Sequence, residues 1–348
     1  MSVYLTTSIP VYNFSSGLDK IVFNTFDETE VEIRLTRSDD TELLAETYVP
    51  DIDNNVVITE LQSLIEPYLL DNVVDSFTIR ATGGSGDFVV RTFTVQFCRA
   101  EMPEGTSADD FMAEHFLTTL RGEKVTDIGR AEYLHFVTDS IIDVNAYITY
   151  WNGTSTSTDS VSLLHATDLG QILTVDVSPS LFVREGLQLL KYHIMAGDRR
   201  MDYVIDQLHP DVAPALIFTN SFGVQETFYC TGTHTLDPDF DRAQALVNGK
   251  LVVYRVDETK VFKANTGHLT YAMAEFADDL LRSTEIYLLR GSERGKLVAI
   301  TECDAKRDNN FDSIPEFTFE YRYAQRNNNI MQFGAGRIFD NTFDDTFN

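Results

Sequence analysis

The sequence predicts a mainly β protein built from serial antiparallel β-sandwich-like units, with a few short helices. Three observations predict it: period-2 hydrophobic alternation in several stretches, Gly- and Asn-rich turns between them, and few stretches with helical periodicity. Val31, Ile33 and Leu35 alternate with Glu32, Arg34 and Thr36, the pattern of a half-buried strand. Phe93, Val95 and Phe97 repeat it, and Phe317, Phe319, Tyr321 and Tyr323 repeat it most clearly. The run TGGSG at 82–86 and the Asn-Gly pairs at 152–153 and 248–249 fall between such runs; the last, in ALVNGKLVVYRV, predicts a hairpin.

Three helices are expected. The stretch 59–70 offers Thr59 and Gln62 at capping-box spacing, with Pro67 limiting it to about two turns. In 107–120, Ser107 is placed to cap a short helix. In YAMAEFADDLLRS, Met273, Phe276, Ala277 and Leu280 fall at i, i+3, i+4 and i+7.

The chain has 348 residues, more than one domain usually holds. A polar run with Pro103 and Gly105 follows one completed strand pattern, and Pro210 and Pro214 precede another. These breaks predict units at 1–100, 101–211 and 212–336, the first two sandwich-like and the third β-rich with one docked helix, followed by an arm at 337–348. No repeat of 20–50 residues is present, so a solenoid or propeller is not expected.

Composition narrows the function. Acidic residues number 54 against 27 basic ones, a net charge of −27. There is no basic face for nucleic acid and none for an anionic membrane. No basic segment followed by an apolar run opens the chain, and no apolar stretch is long enough to span a bilayer. Cys98, Cys230 and Cys303 are far apart and odd in number, which fits buried reduced thiols in a chain made in the cytosol.

No motif carries catalysis. The seven histidines form no HExxH, and His115, although it follows Glu114, has no further ligand nearby. There is no GxSxG elbow, and GGSG lacks the lysine of a phosphate loop. Asp51, Asp53 and Asn55 resemble the start of a calcium loop, but Val56 and Gln62 replace its Gly and Glu. Asp237, Asp239 and Asp241 are interrupted by Pro238. Both runs read as solvated turns. Carboxylate pairs for glycoside hydrolysis leave no local signature. No cofactor, metal or enzymatic activity is expected.

Two features call for a partner. The only tryptophan, Trp151, sits beside an Asn-Gly turn and a Ser/Thr-rich stretch, a setting suited to stacking on a sugar ring. The terminal GRIFDNTFDDTFN places Phe339, Phe343 and Phe347 four residues apart among acids. Whether helical or extended, that spacing keeps three rings near one side, where a neighbouring subunit can bury them.

The stretches 44–69, 214–234 (PALIFTNSFGVQETFYCTGTH) and 298–328 (VAITECDAKRDNNFDSIPEFTFEYRYAQRNN) resemble parts of tail-associated proteins of tailed phages and prophages of gut anaerobes. The resemblance covers about a third of the chain and carries over no catalytic residue. It implies a structural virion protein, made in the host bacterial cytoplasm. Such a protein would assemble as an oligomer in a tail, baseplate or neck layer, with copies of itself and other virion proteins as partners. A carbohydrate-binding β-sandwich protein for host recognition, with a surface glycan as partner, is the alternative expectation.

Overall fold

The computed structural model describes residues 3–324 except 19, 27, 71, 104–105, 139, 168–169 and 308–312. The arm at 337–348, with Phe339, Phe343 and Phe347, lies outside the described residues. Strands hold 52% of the described residues and helices, 3₁₀ turns included, 11%, so the expected β class is the observed one.

The first stretch contains β1 (Tyr4–Leu5), β2 (Tyr12–Phe14), β3 (Ile21–Asn24), β4 (Val31–Arg37), β5 (Glu42–Tyr48), β6 (Asn55–Ile58), α1 (Leu61–Ile65), β7 (Val74–Gly83) and β8 (Phe88–Gln96). A five-stranded sheet, β2-β8-β7-β4-β5, and a three-stranded one, β1-β3-β6, contribute to one apolar cluster. Val31, Ile33 and Leu35 are fully buried there, as the alternation requires. The expected capping box is absent. Glu60, in the left-handed region, occupies the cap position of α1 and no side chain caps the helix. The Ser63 hydroxyl instead donates to the Glu60 carbonyl. A 3₁₀ turn holding Pro67 follows (Glu66–Leu69), because Pro cannot supply the next helical N–H.

The middle stretch holds α2 (Ala108–Glu114), β9 (Glu123–Thr126), β10 (Tyr133–Val137), β11 (Ile142–Trp151), β12 (Thr156–Ala166), β13 (Ile172–Asp176), β14 (Gln188–Ala196) and β15 (Arg199–Ile205). The sheets are β12-β11-β14-β15-β9 and the pair β10-β13. Ser107 caps α2 by accepting from the Asp110 N–H. Among the described residues two pairings are parallel, β2 with β8 and β15 with β9. Each sits at an edge of its sheet and joins strands far apart in sequence, as parallel pairing demands.

The last stretch contains β16 (Ala215–Thr219), β17 (Gln225–Tyr229), β18 (His234–Val247), β19 (Lys250–Asn265), α3 (Tyr271–Arg282), β20 (Ile286–Arg290), β21 (Glu293–Asp304) and β22 (Thr318–Tyr323). Its seven strands run in the order β17-β16-β20-β21-β22-β19-β18. Thr270 caps α3 through the Met273 N–H, and Met273, Phe276, Ala277 and Leu280 are buried.

Residues on both sides of position 211 contribute to one apolar cluster, from Tyr150, Tyr192 and Tyr203 to Phe218, Phe276 and Tyr321. A smaller cluster joins all three stretches. There Phe14, Phe111 and Phe222 meet, with Phe111 centred 5.3 Å from each of the other two rings.

The β18–β19 hairpin departs from this pattern of burial. Asn248 and Gly249 turn it with φ of 51° and 75°, the positive values a two-residue primed turn needs. Of β19, only Val261–Asn265 pairs with β22; among the described residues, its outer part pairs with β18 alone. Leu246, Leu251 and Tyr254 there are 73%, 67% and 68% exposed. The Asp237–Asp241 run, expected in a turn, lies inside β18. Pro238 is tolerated because β18 is an edge strand.

Candidate functional site

Strand β11 places Trp151. Its alternation buries Val144, Ala146, Ile148 and Tyr150, leaving Asn145, Tyr147, Thr149 and Trp151 on the outer face. The inner row is anchored where the Tyr150 hydroxyl donates to the Phe182 carbonyl at 2.7 Å. Trp151 ends the strand, half-buried, opposite Thr156 and Gln188. In the following turn the Asn152 side-chain oxygen accepts from the N–H groups of Thr154 and Ser155.

The sequence did not reveal Trp151's companions. Tyr147 pairs with His193 of β14, and their rings stack at 5.0 Å and 15°. Tyr147 lies four residues from Trp151 on the same strand face, about 13 Å away at ~3.3 Å per residue. A shallow groove of about 450 Å³ runs beside the pair, lined by Tyr147, Thr149, Thr158, Asp159, Ser160 and His193. Desolvation by its neighbours, then Arg200, holds the His193 imidazole below its ordinary range, favouring the neutral ring. Stacked aromatics bordered by hydroxyls and a carboxylate offer what a sugar ring uses: an apolar face and polar edges. Tyr147 and His193 are distant in sequence, so only their alternation on β11 and β14 hinted at a shared face.

A second concavity, of about 560 Å³, opens between the first and last stretches. Arg99, Arg282, Arg294, Asp279 and Glu285 line it. Its acids have structural partners. Asp279 accepts from the Thr119 hydroxyl and from the Ser221 N–H and hydroxyl. Glu285 accepts from the Tyr287 and then the Thr219 hydroxyl, which hold its carboxyl below the usual range.

Buried polar groups tie the middle and last stretches together. Lys124 Nζ lies 2.6 Å from Glu132, whose carboxylate also accepts from the hydroxyls of Thr126 and Thr227. Burial lifts the Glu226 carboxyl to about 7, against the pull of Lys124 and of the Asn220 amide that donates to it. Burial also lowers His135 to about 4. Because the Gln225 carbonyl can only accept, His135 carries its proton on Nε2, and Nδ1 accepts from Thr174. These groups are spent on internal hydrogen bonds.

The other expected positions are also placed. Asp51 closes its turn on itself, its Oδ1 accepting from the N–H groups of Asp53 and Asn55 at 2.8 Å. His115 ends α2. Among the described residues no group of three or more His, Cys, Asp or Glu is placed to hold a metal ion, and no helix is long and apolar enough to cross a membrane. Cys98 and Cys230 are buried, whereas Cys303, one residue from the end of β21, is exposed, contrary to expectation.

No family model and no curated protein matches the chain. Among solved structures it is similar to Salmonella α2-macroglobulin (9% identity, TM-score 0.22), covering 76% of this chain and 22% of that one. It is also similar to a 1.5-MDa bacterial ice-binding adhesin (10% identity, TM-score 0.16, 74% of this chain and 88% of that one). A third is SGBP-B of the Bacteroides ovatus mixed-linkage glucan utilization locus, in complex with a mixed-linkage heptasaccharide (11% identity, TM-score 0.17, 73% and 69%). TM-scores this low carry no argument about this chain's family or function.

Proposed function

We propose that this protein is a structural subunit of a tailed-phage particle, in a tail, baseplate or neck layer, acting through contacts with copies of itself and other virion proteins. The observation that carries the assembly reading is the β18–β19 hairpin, whose apolar residues are solvated on both faces in a single chain. A two-stranded ribbon of that kind is marginal by itself in water and gains most from a partner. The phage assignment draws on the resemblance of 214–234 and 298–328 to tail-associated proteins. On this reading the chain is no enzyme, and 337–348 is an arm that docks Phe339, Phe343 and Phe347 on a neighbour. Mass spectrometry of purified particles tests the assignment: a stoichiometric presence is expected, and a protein found only free in the lysate overturns it. A chain ending at Gly336 that assembles as well as the full chain overturns the arm.

A second reading has its own observation, the outward Tyr147–His193 stack on the strand face that carries Trp151. That face suits a host surface glycan. Trp151→Ala and Tyr147→Ala should each abolish retention on a polysaccharide column and leave assembly intact. Retention that survives both substitutions rules the glycan reading out.

A further inference from the structure

Sheet edges are ordinarily guarded against pairing by prolines and charges. The inner half of β18 is guarded in this way, with Pro238 between Asp237 and Asp239 and Asp241 beyond. The guard stops at Arg242. Residues 242–256 hold no proline and no acid, but three cations, Arg242, Lys250 and Arg255. Of these, Arg255 pairs with Asp257 just inside the segment. The remainder of the chain is strongly acidic, with 27 − 3 = 24 bases against 54 acids, or −30. Leu246 faces Leu251 and Ala245 faces Val252 in register, so both faces of the ribbon are apolar. Val247, Val253 and Val256 add 51%, 46% and 51% exposed surface. Among the described residues, an unpaired β19 edge, apolar faces and a positive segment on an acidic molecule describe a surface that receives an acidic, apolar strand.

The same chain supplies such a strand. β22 runs toward the hairpin tip, with Thr318 opposite Asn265 and Arg322 opposite Val261. After Ala324, 348 − 324 = 24 residues follow. The twelve at 325–336 reach ~40 Å when extended, and β19 from Val261 to Lys250 covers ~36 Å. The last twelve therefore come within reach of the tip and of whatever lies past it. They carry Asp340, Asp344 and Asp345 against Arg337, a net −2, and three phenylalanines whose spacing of four puts them on one face of a strand.

We propose that the outer half of the β18–β19 hairpin is the acceptor for segment 337–348 of a second copy of this chain. The segment adds to the β19 edge along Lys250–Val256 and lays its phenylalanines, with Asp345, on the face of Leu251, Val253 and Arg242. Asp340 and Asp344 then fall on the opposite face, that of Lys250. This rests on the reading of 337–348 as a docking arm and names the surface that receives it. Main-chain pairing holds the strand and the side chains select it.

Charge reversal in the full chain tests the pairing, read as the concentration at which the oligomer dissociates in sedimentation. Arg242→Glu with Lys250→Glu changes only exposed side chains, and Asp340→Lys with Asp344→Lys and Asp345→Lys changes only the arm. Each set should weaken assembly about 10-fold or more, and the two sets together should restore it to within about 3-fold. If the arm set weakens assembly, the hairpin set does not, and the combination does not restore it, the arm stands and the hairpin is not its acceptor. Weakening by the hairpin set alone overturns the pairing and leaves another segment as occupant. A full chain that is monomeric at ~100 μM, well above the range of specific protein–protein association, overturns both.

Discussion

Replacing Lys124 with Met removes one half of an ion pair that joins two stretches of sequence. Lys124, on β9, is 5% exposed and Glu132 is fully buried. The ammonium sits 2.6 Å from Glu132 and also donates to the Thr227 carbonyl on β17 at 3.0 Å. Once it is gone, Glu132 keeps only the Thr126 and Thr227 hydroxyls, at 2.8 and 3.2 Å. Two neutral donors do not replace a cation for a carboxylate without water, and breaking such a pair typically costs about 3–5 kcal/mol. A volume-matched apolar pair is far less costly, so Lys124→Met combined with Glu132→Leu should recover at least half of the loss. Urea unfolding followed by fluorescence of Trp151, the only tryptophan, measures both. Because one apolar cluster spans position 211, the main change in circular dichroism of the whole chain should coincide with the change in fluorescence. A loss below about 1 kcal/mol for Lys124→Met, or no recovery in the double variant, would refute the claim that this pair ties the two stretches together.

Further predictions concern neighbouring groups. Glu226 is raised from 4.5 to about 7 by burial, with Lys124 lowering and Asp279 raising it. Between those values the folded chain keeps a proton that the unfolded chain has released, so stability falls as pH rises, by about 3 kcal/mol in full. Glu226→Gln should remove that slope, and a difference between variant and parent that stays flat from about pH 5 to 8 contradicts it. His135 acts with the opposite sign: its ring is lowered from 6.5 to about 4 by burial, so its contribution is lost as pH falls through that window. His135→Gln should flatten the acid limb of the same pH scan. Phe276 is fully buried against Phe218 and Phe228, and Phe276→Ala should cost about 3–5 kcal/mol in urea unfolding. Thr270→Ala removes the cap on α3 and should cost about 1 kcal/mol by the same measurement.

Local chemistry was legible wherever a residue's role depended on its sequence neighbours. The alternations at 31–35, 93–97 and 317–323 became strands buried on the expected side, because a pleated chain sends successive side chains to opposite faces. Ser107 caps the helix expected of it, whereas the Thr270 cap on α3 was not read from the sequence. Asn248-Gly249 turns its hairpin, since positive φ at both positions costs little for Asn and Gly. The capping-box reading at Thr59 failed because Glu60 took the left-handed conformation and moved the helix start past the box.

What the tertiary structure decided is who meets whom. Tyr147 reached His193 through strand pairing across 46 residues of chain. Lys124, Glu132 and Thr227 converged from three separate segments. Phe14, Phe111 and Phe222 closed the junction of all three stretches. None of these encounters leaves a local motif, because long-range contacts depend on sheet order, and sheet order is chosen by the packing of whole faces. The hairpin at Asn248 shows the division most clearly. Its turn and strands were written in twelve consecutive residues, but that β22, among the described residues, pairs with only five residues of β19 and Lys250–Val256 is exposed was settled by the order and length of the other strands.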